Sequence, residues 1–296
     1  MTNSIHKIAV IGTGNMGAPM ARNLAKSGFQ VKAHDIVGEK MLPLEEDGVE
    51  PCLNHELAIE DADLCLSMLP THNEVSDVFY NQFLKHAPEH CLFIDSSTID
   101  LNESRAFHKS AEDFGFEMLD APVSGGMIGA INGTLSFMVG GKASTFEKAQ
   151  SVLQAMGKSI IHCGGAGNGQ AAKMCNNLML GIQMISVAEG FRLAQKVNLD
   201  EQTLFDVATA SSGNCFALQT FCPVPNLVET APSSNGFTPG FSSTLMHKDL
   251  NLALQAAASA GLTLPLATLT EQKYENMLSA GEGDVDFSGI IHHLQQ

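Results

Sequence analysis

A single lysine stands in an otherwise uncharged segment and could act as an acid or base. Between Gln170 and Ala188 the only formal charge is Lys173. A buried ammonium group is costly unless it is paired, and otherwise burial lowers its pKa. A lysine that can lose its proton near neutral pH serves as a general acid or base. A structural ion pair or a contact between subunits is the alternative, and this segment alone leaves both open.

The residues around this lysine predict a long helix that carries a second polar group. Apolar, small and amide side chains fill the window, so the pattern predicts a helix buried on nearly all faces and extending to Lys196. Asn177 follows Lys173 by four positions and would share its helical face. Its amide could hydrogen-bond the same bound molecule as the lysine.

A glycine-rich turn near the N terminus predicts a dinucleotide site. The apolar run Lys7–Ile11 reads as a strand, and G-T-G-N-M-G follows it at once, before a segment with helical spacing. In this arrangement the first glycine makes the turn, the second lets the backbone approach a pyrophosphate, and the third lets helix pack on strand. The helix N-terminus then faces the phosphates. The predicted cofactor-binding residues of the turn are Gly12, Gly14, Asn15, Met16 and Gly17.

An acidic residue after the second predicted strand favours NAD over NADP. Asp35 ends the strand 29–34 and lies about 20 residues beyond the glycines, where an acid binds the ribose 2′-hydroxyl and repels a 2′-phosphate. The alternative for Asp35 is an ordinary cap at the strand end. Further residues at strand ends are predicted to line the nicotinamide cleft, with loop packing as the alternative: Met68, Leu69, Asn73 and Thr98.

Strands and helices alternate through the first half of the chain and then give way to helices alone. Strand-like runs recur at 63–69, 91–95, 116–121 and 158–162, with a further one inside 129–141, which predicts a mostly parallel Rossmann-type sheet. After Asn168 only helical patterns remain. The predicted architecture is an α/β NAD-binding domain, 1–165, and an all-α substrate and oligomerisation domain, 166–296, joined by a long helix.

Two further segments offer polar groups for a ligand. Small residues follow the strand at 116–121 in D-A-P-V-S-G-G, and the hydroxyl of Ser124 with the backbone N–H groups of Gly125 and Gly126 could hold a carboxylate. Lys248 belongs to a charged pair within apolar helical surroundings, so it is expected to face the cleft between the domains. A solvated helix face is the competing interpretation for Lys248.

Composition excludes several classes of function. The 296 residues carry a formal charge of -16, and this charge argues against a nucleic-acid or anionic membrane surface. A hydrophobic fraction of 44% and a mean hydropathy of +0.06 suit a globular chain, and no run reaches about 18 apolar residues. Seven cysteines without C-x-x-C pairing and an N terminus without leader character predict the cytoplasm. No histidine has metal-ligand spacing, so no metal is predicted.

Four motifs together resemble the signatures of the β-hydroxyacid dehydrogenase family. The glycine turn, continued as I-G-T-G-N-M-G-A-P-M-A-R-N-L, resembles its dinucleotide signature, and D-A-P-V-S-G-G-M-I-G-A-I-N-G-T-L resembles its substrate motif. G-x-G-Q-x-x-K-x-x-N-N resembles its catalytic motif, and K-D-L at 248–250 its cofactor motif. The resemblance implies that Lys173 is the acid/base, that Asn177 and 124–126 bind substrate, and that Lys248 binds cofactor.

The C-terminal half resembles the 3-hydroxyisobutyrate dehydrogenase branch of that family. This likeness implies NAD-dependent oxidation of 3-hydroxyisobutyrate, a small carboxylate-bearing hydroxyacid of valine catabolism. The long apolar helix and the few charges of the second domain predict contacts between subunits, and therefore a homodimer or homotetramer. Phe216, Cys222 and Asn226 depart from the branch pattern, which leaves the preferred substrate side chain open. The alternatives are a tartronate or succinic semialdehyde type of reductase, or a non-catalytic dinucleotide-binding module.

Overall fold

Two compact units make up the chain. The computed structural model describes residues 5–294. The units are Met1–Lys173 and Met174–Gln296, and their division falls inside the helix Asn168–Lys196. The predicted boundary between residues 165 and 166 stays a prediction.

The first unit contains a mostly parallel sheet. Its strands are β1 Lys7–Ile11, β2 Gln30–His34, β3 Val49–Pro51, β4 Leu64–Ser67, β5 Leu92–Asp95, β6 Glu117–Asp120, β7 Val123–Ser124, β8 Leu135–Gly141 and β9 Gly157–Gly164. The order is β3-β2-β1-β4-β5-β6-β8-β7, with β9 paired to β8. Strands β1 to β6 pair in parallel, whereas β8 runs antiparallel to β6 and β7. The predicted Rossmann-type domain is confirmed.

Helices cover this sheet, and side chains cap several of them. They are α1 Gly17–Lys26, α2 His55–Ile59, α3 His72–Asp77, α4 Leu84–His86, α5 Leu101–Asp113, α6 Gly126–Ile131 and α7 Ala143–Met156, with a π-helical turn at Val78–Phe83 and 3₁₀ turns at Gly38–Lys40 and Leu42–Asp47. Asn54, Thr71 and Asp100 accept N–H bonds at the starts of α2, α3 and α5. Two apolar clusters form the core, one around Val10 and Leu24 and one around Phe79 and Phe93.

The second unit is helical, as predicted. The helix α8, Asn168–Lys196, leads into α9 Glu201–Ala210, α10 Phe216–Thr220, α11 Ser243–Ser259 and α12 Pro265–Ser279, with 3₁₀ turns at Pro232–Asn235 and Phe287–His293. Tyr274 is fully buried and donates to the carbonyl of Phe287 (3.1 Å) at the centre of its core. Within residues 174–294 the only β pairing is an isolated bridge, Ser242 to Asp286. None of the helices in the described part of the chain is long and apolar enough to cross a membrane.

Helix α8 is buried along one stripe, so the predicted burial on nearly all faces is wrong. The buried positions recur every three or four residues: Gln170, Lys173, Met174, Asn177, Gly181, Met184, Ala188, Phe191 and Ala194. Cys175 and Asn176 are exposed, and Met179 is 53% exposed. The outer face carries apolar and amide side chains that the other described residues do not cover, which a composition-based argument could not detect.

Candidate active site

Three glycines in the turn after β1 are needed for different physical reasons. At Gly12, where φ is +91°, an added Cβ would overlap the carbonyl oxygen of Met68, and at Gly17 it would overlap the carbonyl oxygen of Gly12. These two glycines are therefore required by the packing of the turn and of α1. A Cβ at Gly14 would meet nothing within 4 Å. The open space at Gly14 fits the close approach of a bound group.

The start of α1 has the properties of a phosphate site. Its first turn contains no acidic residue, and the capping position, Met16, makes no side-chain cap bond, while Asn15 is exposed. The hydroxyl of Thr13 is buried and finds no hydrogen-bond partner among residues 5–294. Uncapped helix N–H groups and a buried hydroxyl fit a dinucleotide pyrophosphate. The predicted set omits Thr13, because the burial of its hydroxyl without a partner is visible only in the structure.

Asp35 supports the glycine turn, and its carboxylate is the group predicted to bind a ribose hydroxyl. Its Oδ2 accepts the N–H of Thr13 (2.8 Å) and its Oδ1 accepts the N–H of Val37 (2.8 Å). The Nζ of Lys40 lies 4.0 Å from Oδ1. Each ionised carboxylate oxygen can accept more than one hydrogen bond, so acceptor capacity for a ribose hydroxyl remains.

The residues predicted to line the nicotinamide cleft follow β4 and β5 at the carboxyl edge of the sheet. Met68 and Leu69 come directly after β4, and the N–H of Leu69 donates to the hydroxyl of Ser97 (2.9 Å) beside Thr98. Asn73 lies exposed in the first turn of α3. This edge is where parallel α/β sheets bind ligands.

The segment predicted to hold a carboxylate joins a short strand to a helix. Ser124 ends the short strand β7, and Gly125 is the capping residue of α6, with φ values of +124° at Gly125 and +60° at Gly126. The N–H groups of both glycines therefore begin a helix instead of a coil. Gly125 is exposed and Ser124 is half-buried, so their polar groups lie near the surface of this unit.

The structure brings Lys173 next to this segment. Lys173 is only 7% exposed, and its Nζ donates to the carbonyl of Val123 (2.9 Å), the residue before Ser124. The helix that carries it is fixed at its start because the buried carboxylate of Asp120 accepts the N–H groups of Gly167 and Gln170 (2.9 Å each). The predicted acid/base, Lys173, therefore lies next to the predicted carboxylate site.

Gln170 is a residue that the sequence reasoning missed. It is fully buried, its Nε2 donates to the carbonyl of Ser97 (2.7 Å), and its Oε1 accepts the N–H of Ile99 (3.3 Å). It thereby fixes the segment containing Thr98 to α8, three residues before Lys173. The motif contains this glutamine, but its role depends on contacts with Ser97 and Ile99, which are distant in the sequence.

Asn177 is held by a second residue that the reasoning missed. Its Nδ2 donates to the carboxylate of Asp249 in α11, and its Oδ1 accepts a bond from Asn176 (2.9 Å). Asn177 and Asp249 are 2% and 3% exposed. Lys248, beside Asp249, is half-buried in α11, and its cofactor role stays a prediction.

A buried carboxyl at the end of β5 lies beside these loops. The Oδ1 of Asp95 accepts the hydroxyl of Ser67 (2.8 Å) and the N–H of Ser97 (3.1 Å), whereas its Oδ2 has no partner among the described residues. Burial raises the pKa of Asp95 to about 6. Because the folded protein holds this proton more tightly than the unfolded chain, where the pKa is 3.8, the free energy of unfolding falls as pH rises through that window.

We therefore expect the Asp95→Asn variant to show a weaker pH dependence of stability than the wild type. Between about pH 5 and about pH 7.5, ionisation of Asp95 should lower the free energy of unfolding of the wild type by about 1 kcal/mol. The variant should not show this decrease. Urea unfolding at the two pH values measures this difference, and titration of the other carboxyls cancels in the comparison. Equal pH dependence in both proteins would show that Asp95 is not the group responsible.

Comparisons with known proteins agree with this site. Residues 7–165 match the family described as the NAD binding domain of 6-phosphogluconate dehydrogenase, and residues 167–294 match that described as NAD-binding of NADP-dependent 3-hydroxyisobutyrate dehydrogenase. A probable 3-hydroxyisobutyrate dehydrogenase of Mycobacterium tuberculosis is 47% identical over 97% of each chain. The mitochondrial enzyme of Mus musculus is 39% identical over 98% of this chain and 87% of its own.

A solved structure gives the same result in three dimensions. The M. tuberculosis 3-hydroxyisobutyrate dehydrogenase with L-serine has a TM-score of 0.95 and 46% identity, and the match covers 99% of this chain and 100% of that one. The resemblance inferred from the motifs is confirmed, and the non-catalytic alternative is not supported. The chain belongs to the 3-hydroxyisobutyrate dehydrogenase family and is an NAD(P)-binding β-hydroxyacid dehydrogenase.

Proposed function

We propose that this enzyme oxidises the primary alcohol of 3-hydroxyisobutyrate to methylmalonate semialdehyde with NAD, as a step of valine catabolism. The observation that carries the proposal is the buried amine of Lys173, 2.9 Å from the carbonyl of Val123 and therefore beside the predicted carboxylate site. A hydroxyacid needs both a carboxylate site and a base for its hydroxyl proton. These residues supply them in adjacent positions.

The substrate carboxylate is bound by the segment between β7 and α6. The Ser124 hydroxyl and the N–H groups of Gly125 and Gly126 are the donors, and Gly125 carries no side chain that would block access. Binding the carboxylate here fixes the position of the hydroxymethyl group. A positioned substrate needs less reorganisation to react.

Proton transfer is assigned to α8. Lys173 in its neutral form takes the hydroxyl proton, because burial favours the uncharged amine. A nicotinamide held by the glycine turn and the strand ends would supply the hydride acceptor for the carbon that bears this hydroxyl. Asn177, four residues further along α8, orients the hydroxyl, and Asp249 holds the Asn177 amide in place. Asp249 is thus a positioning residue.

The preference for NAD rests on Asp35. A carboxylate at the end of β2 accepts bonds from a ribose 2′-hydroxyl and repels a 2′-phosphate. The remainder of the dinucleotide is held by the glycine turn and the start of α1. The residues at the strand ends and Lys248 make the further contacts: Met68, Leu69, Asn73 and Thr98. The open space at Gly14 and the uncapped N-terminus of α1 support this assignment.

A substrate panel tests the proposed substrate. We expect kcat/KM to be highest for 3-hydroxyisobutyrate with NAD, measured by NADH absorbance against L-serine, glycerate and 4-hydroxybutyrate, each with both cofactors. Serine is included because the relative from M. tuberculosis was solved with it. Glycerate and 4-hydroxybutyrate test the tartronate and succinic semialdehyde types. Faster oxidation of any of these three would assign the site to that acid and overturn the present proposal.

Self-association accounts for exposed apolar side chains of the second unit. Met179 and Leu193 on α8 and Leu266 and Leu269 on α12 are each more than half exposed. Exposed apolar patches mark interaction surfaces, so we propose a homodimer or homotetramer. The cytoplasmic location stays a prediction.

A further inference from the structure

Two helices of the second unit bring together three side chains of the types that bind metal ions. His247 lies on α11, and Glu271 and Glu275 lie one turn apart on α12. The Nε2 of His247 is 2.9 Å from Glu271 Oε1 and 2.9 Å from Glu275 Oε2, and the potential ligand atoms all lie within 4.8 Å of one another. No motif along the sequence signals this group, because its members come from separate helices.

Hydrogen bonding satisfies this arrangement only in part. One imidazole nitrogen carries at most one hydrogen, yet two carboxylate oxygens lie at the same short distance from it. Two ligand atoms that bind one Zn²⁺ ion at 2.0–2.2 Å with bond angles of about 90–110° are separated by roughly 3.0–3.4 Å. The two distances from Nε2 of His247 need to widen by only a few tenths of an ångström to hold a metal ion, and the two carboxylate oxygens lie within 4.8 Å of each other.

A fourth polar group lies beside the same imidazole. The Asn251 amide nitrogen is 3.1 Å from Nε2 and 3.4 Å from Nδ1 of His247, one helical turn away on α11. An amide N–H directed at Nε2 would compete with a metal ion for the lone pair of that nitrogen. After a half-turn of the amide, its oxygen takes this place and can serve as a fourth ligand.

Charge and exposure fit a divalent cation that enters from solvent. The side chains of His247 and Glu271 are each 18% exposed, whereas Glu275 is 56% exposed. A neutral imidazole and two carboxylates carry a total charge of −2, which a divalent ion neutralises. Nitrogen and oxygen donors of this kind suit Zn²⁺ and its neighbours in the transition series.

We propose that His247, Glu271 and Glu275 bind a divalent transition-metal ion, Zn²⁺ in the first instance, which links α11 to α12. The site is independent of the proposed reaction. A ligand that binds only the folded protein stabilises it, so metal binding raises the melting temperature of the enzyme.

Calorimetric titration of the chelator-treated full-length enzyme with Zn²⁺, together with thermal melts, tests the proposal. We expect saturable binding of one ion per chain and a rise in Tm, and visible d–d absorbance with Co²⁺. The His247→Ala and Glu275→Gln variants should bind at least about tenfold more weakly. Glu275 is largely exposed, so its replacement by glutamine should leave folding intact.

The matched control is His293→Ala, because within residues 5–294 the His293 imidazole forms an ion pair with a single carboxylate, that of Glu282 (3.1 Å). This variant should keep the wild-type affinity and the wild-type Tm rise. Absence of saturable binding by the wild type up to millimolar Zn²⁺ would overturn the proposal. Equal Zn²⁺ affinity in the wild type and in both cluster variants would overturn it as well.

Discussion

Replacement of Lys173 by alanine is expected to lower kcat for hydroxyacid oxidation by about 10²- to 10⁴-fold, the usual contribution of a general base. The variant lacks the group that takes the hydroxyl proton, while the glycine turn that binds the dinucleotide is unchanged. Steady-state NADH formation measures kcat, and fluorescence titration of NAD measures cofactor affinity. The cofactor Kd should remain close to the wild-type value.

The Lys173→Arg variant is the control for charge. Arginine keeps a hydrogen-bond donor near the carbonyl of Val123 but, unlike lysine, does not lose its proton in proteins. We therefore expect kcat of the arginine variant to be lowered about as strongly as that of the alanine variant. A wild-type kcat in Lys173→Ala would show that another group takes the proton and that the proposed mechanism is wrong.

Replacement of Asp35 by alanine is expected to shift the cofactor preference away from NAD. A hydrogen bond to a charged group contributes about 1.5–3 kcal/mol, which corresponds to about a 10- to 150-fold loss of kcat/KM with NAD. The loss with NADP should be smaller because the repulsion of its 2′-phosphate disappears as well. Activity with both cofactors across a concentration series gives the ratio.

The Asp35→Asn variant separates cofactor recognition from support of the turn. Asp35 accepts the N–H groups of Thr13 and Val37, so the alanine change also loosens the glycine turn. Asparagine keeps one acceptor oxygen and removes the negative charge. If neither variant alters the ratio of NAD to NADP activity, Asp35 has no role in binding the ribose.

Much of the fold follows from periodic patterns within single segments. The strand predicted at 91–95 is found as Leu92–Asp95, and the long helix predicted to extend to Lys196 ends at that residue. The strands Val49–Pro51 and Val123–Ser124 escaped prediction because two or three residues show no alternation. Their pairing depends on neighbouring strands, which a local pattern does not contain.

Some residues of the site could also be predicted from local sequence features, whereas others depend on contacts between distant segments. The glycine turn and Lys173 were predictable because glycine spacing and a single charge in an apolar run are local features. Gln170 and Asp249 were not, since their roles depend on contacts with residues 71 to 73 positions away in the sequence. The cluster around His247 was not predictable either, because its residues come from two separate helices.

The pH profile of kcat/KM for the wild type and for Lys173→Ala tests the central claim most directly. If the neutral amine of Lys173 takes the proton, oxidation by the wild type should accelerate as pH rises and this group loses its proton, and then level off. The alanine variant should lack that titration and remain slower throughout. A variant that reproduces both the wild-type profile and the wild-type rate would contradict the account.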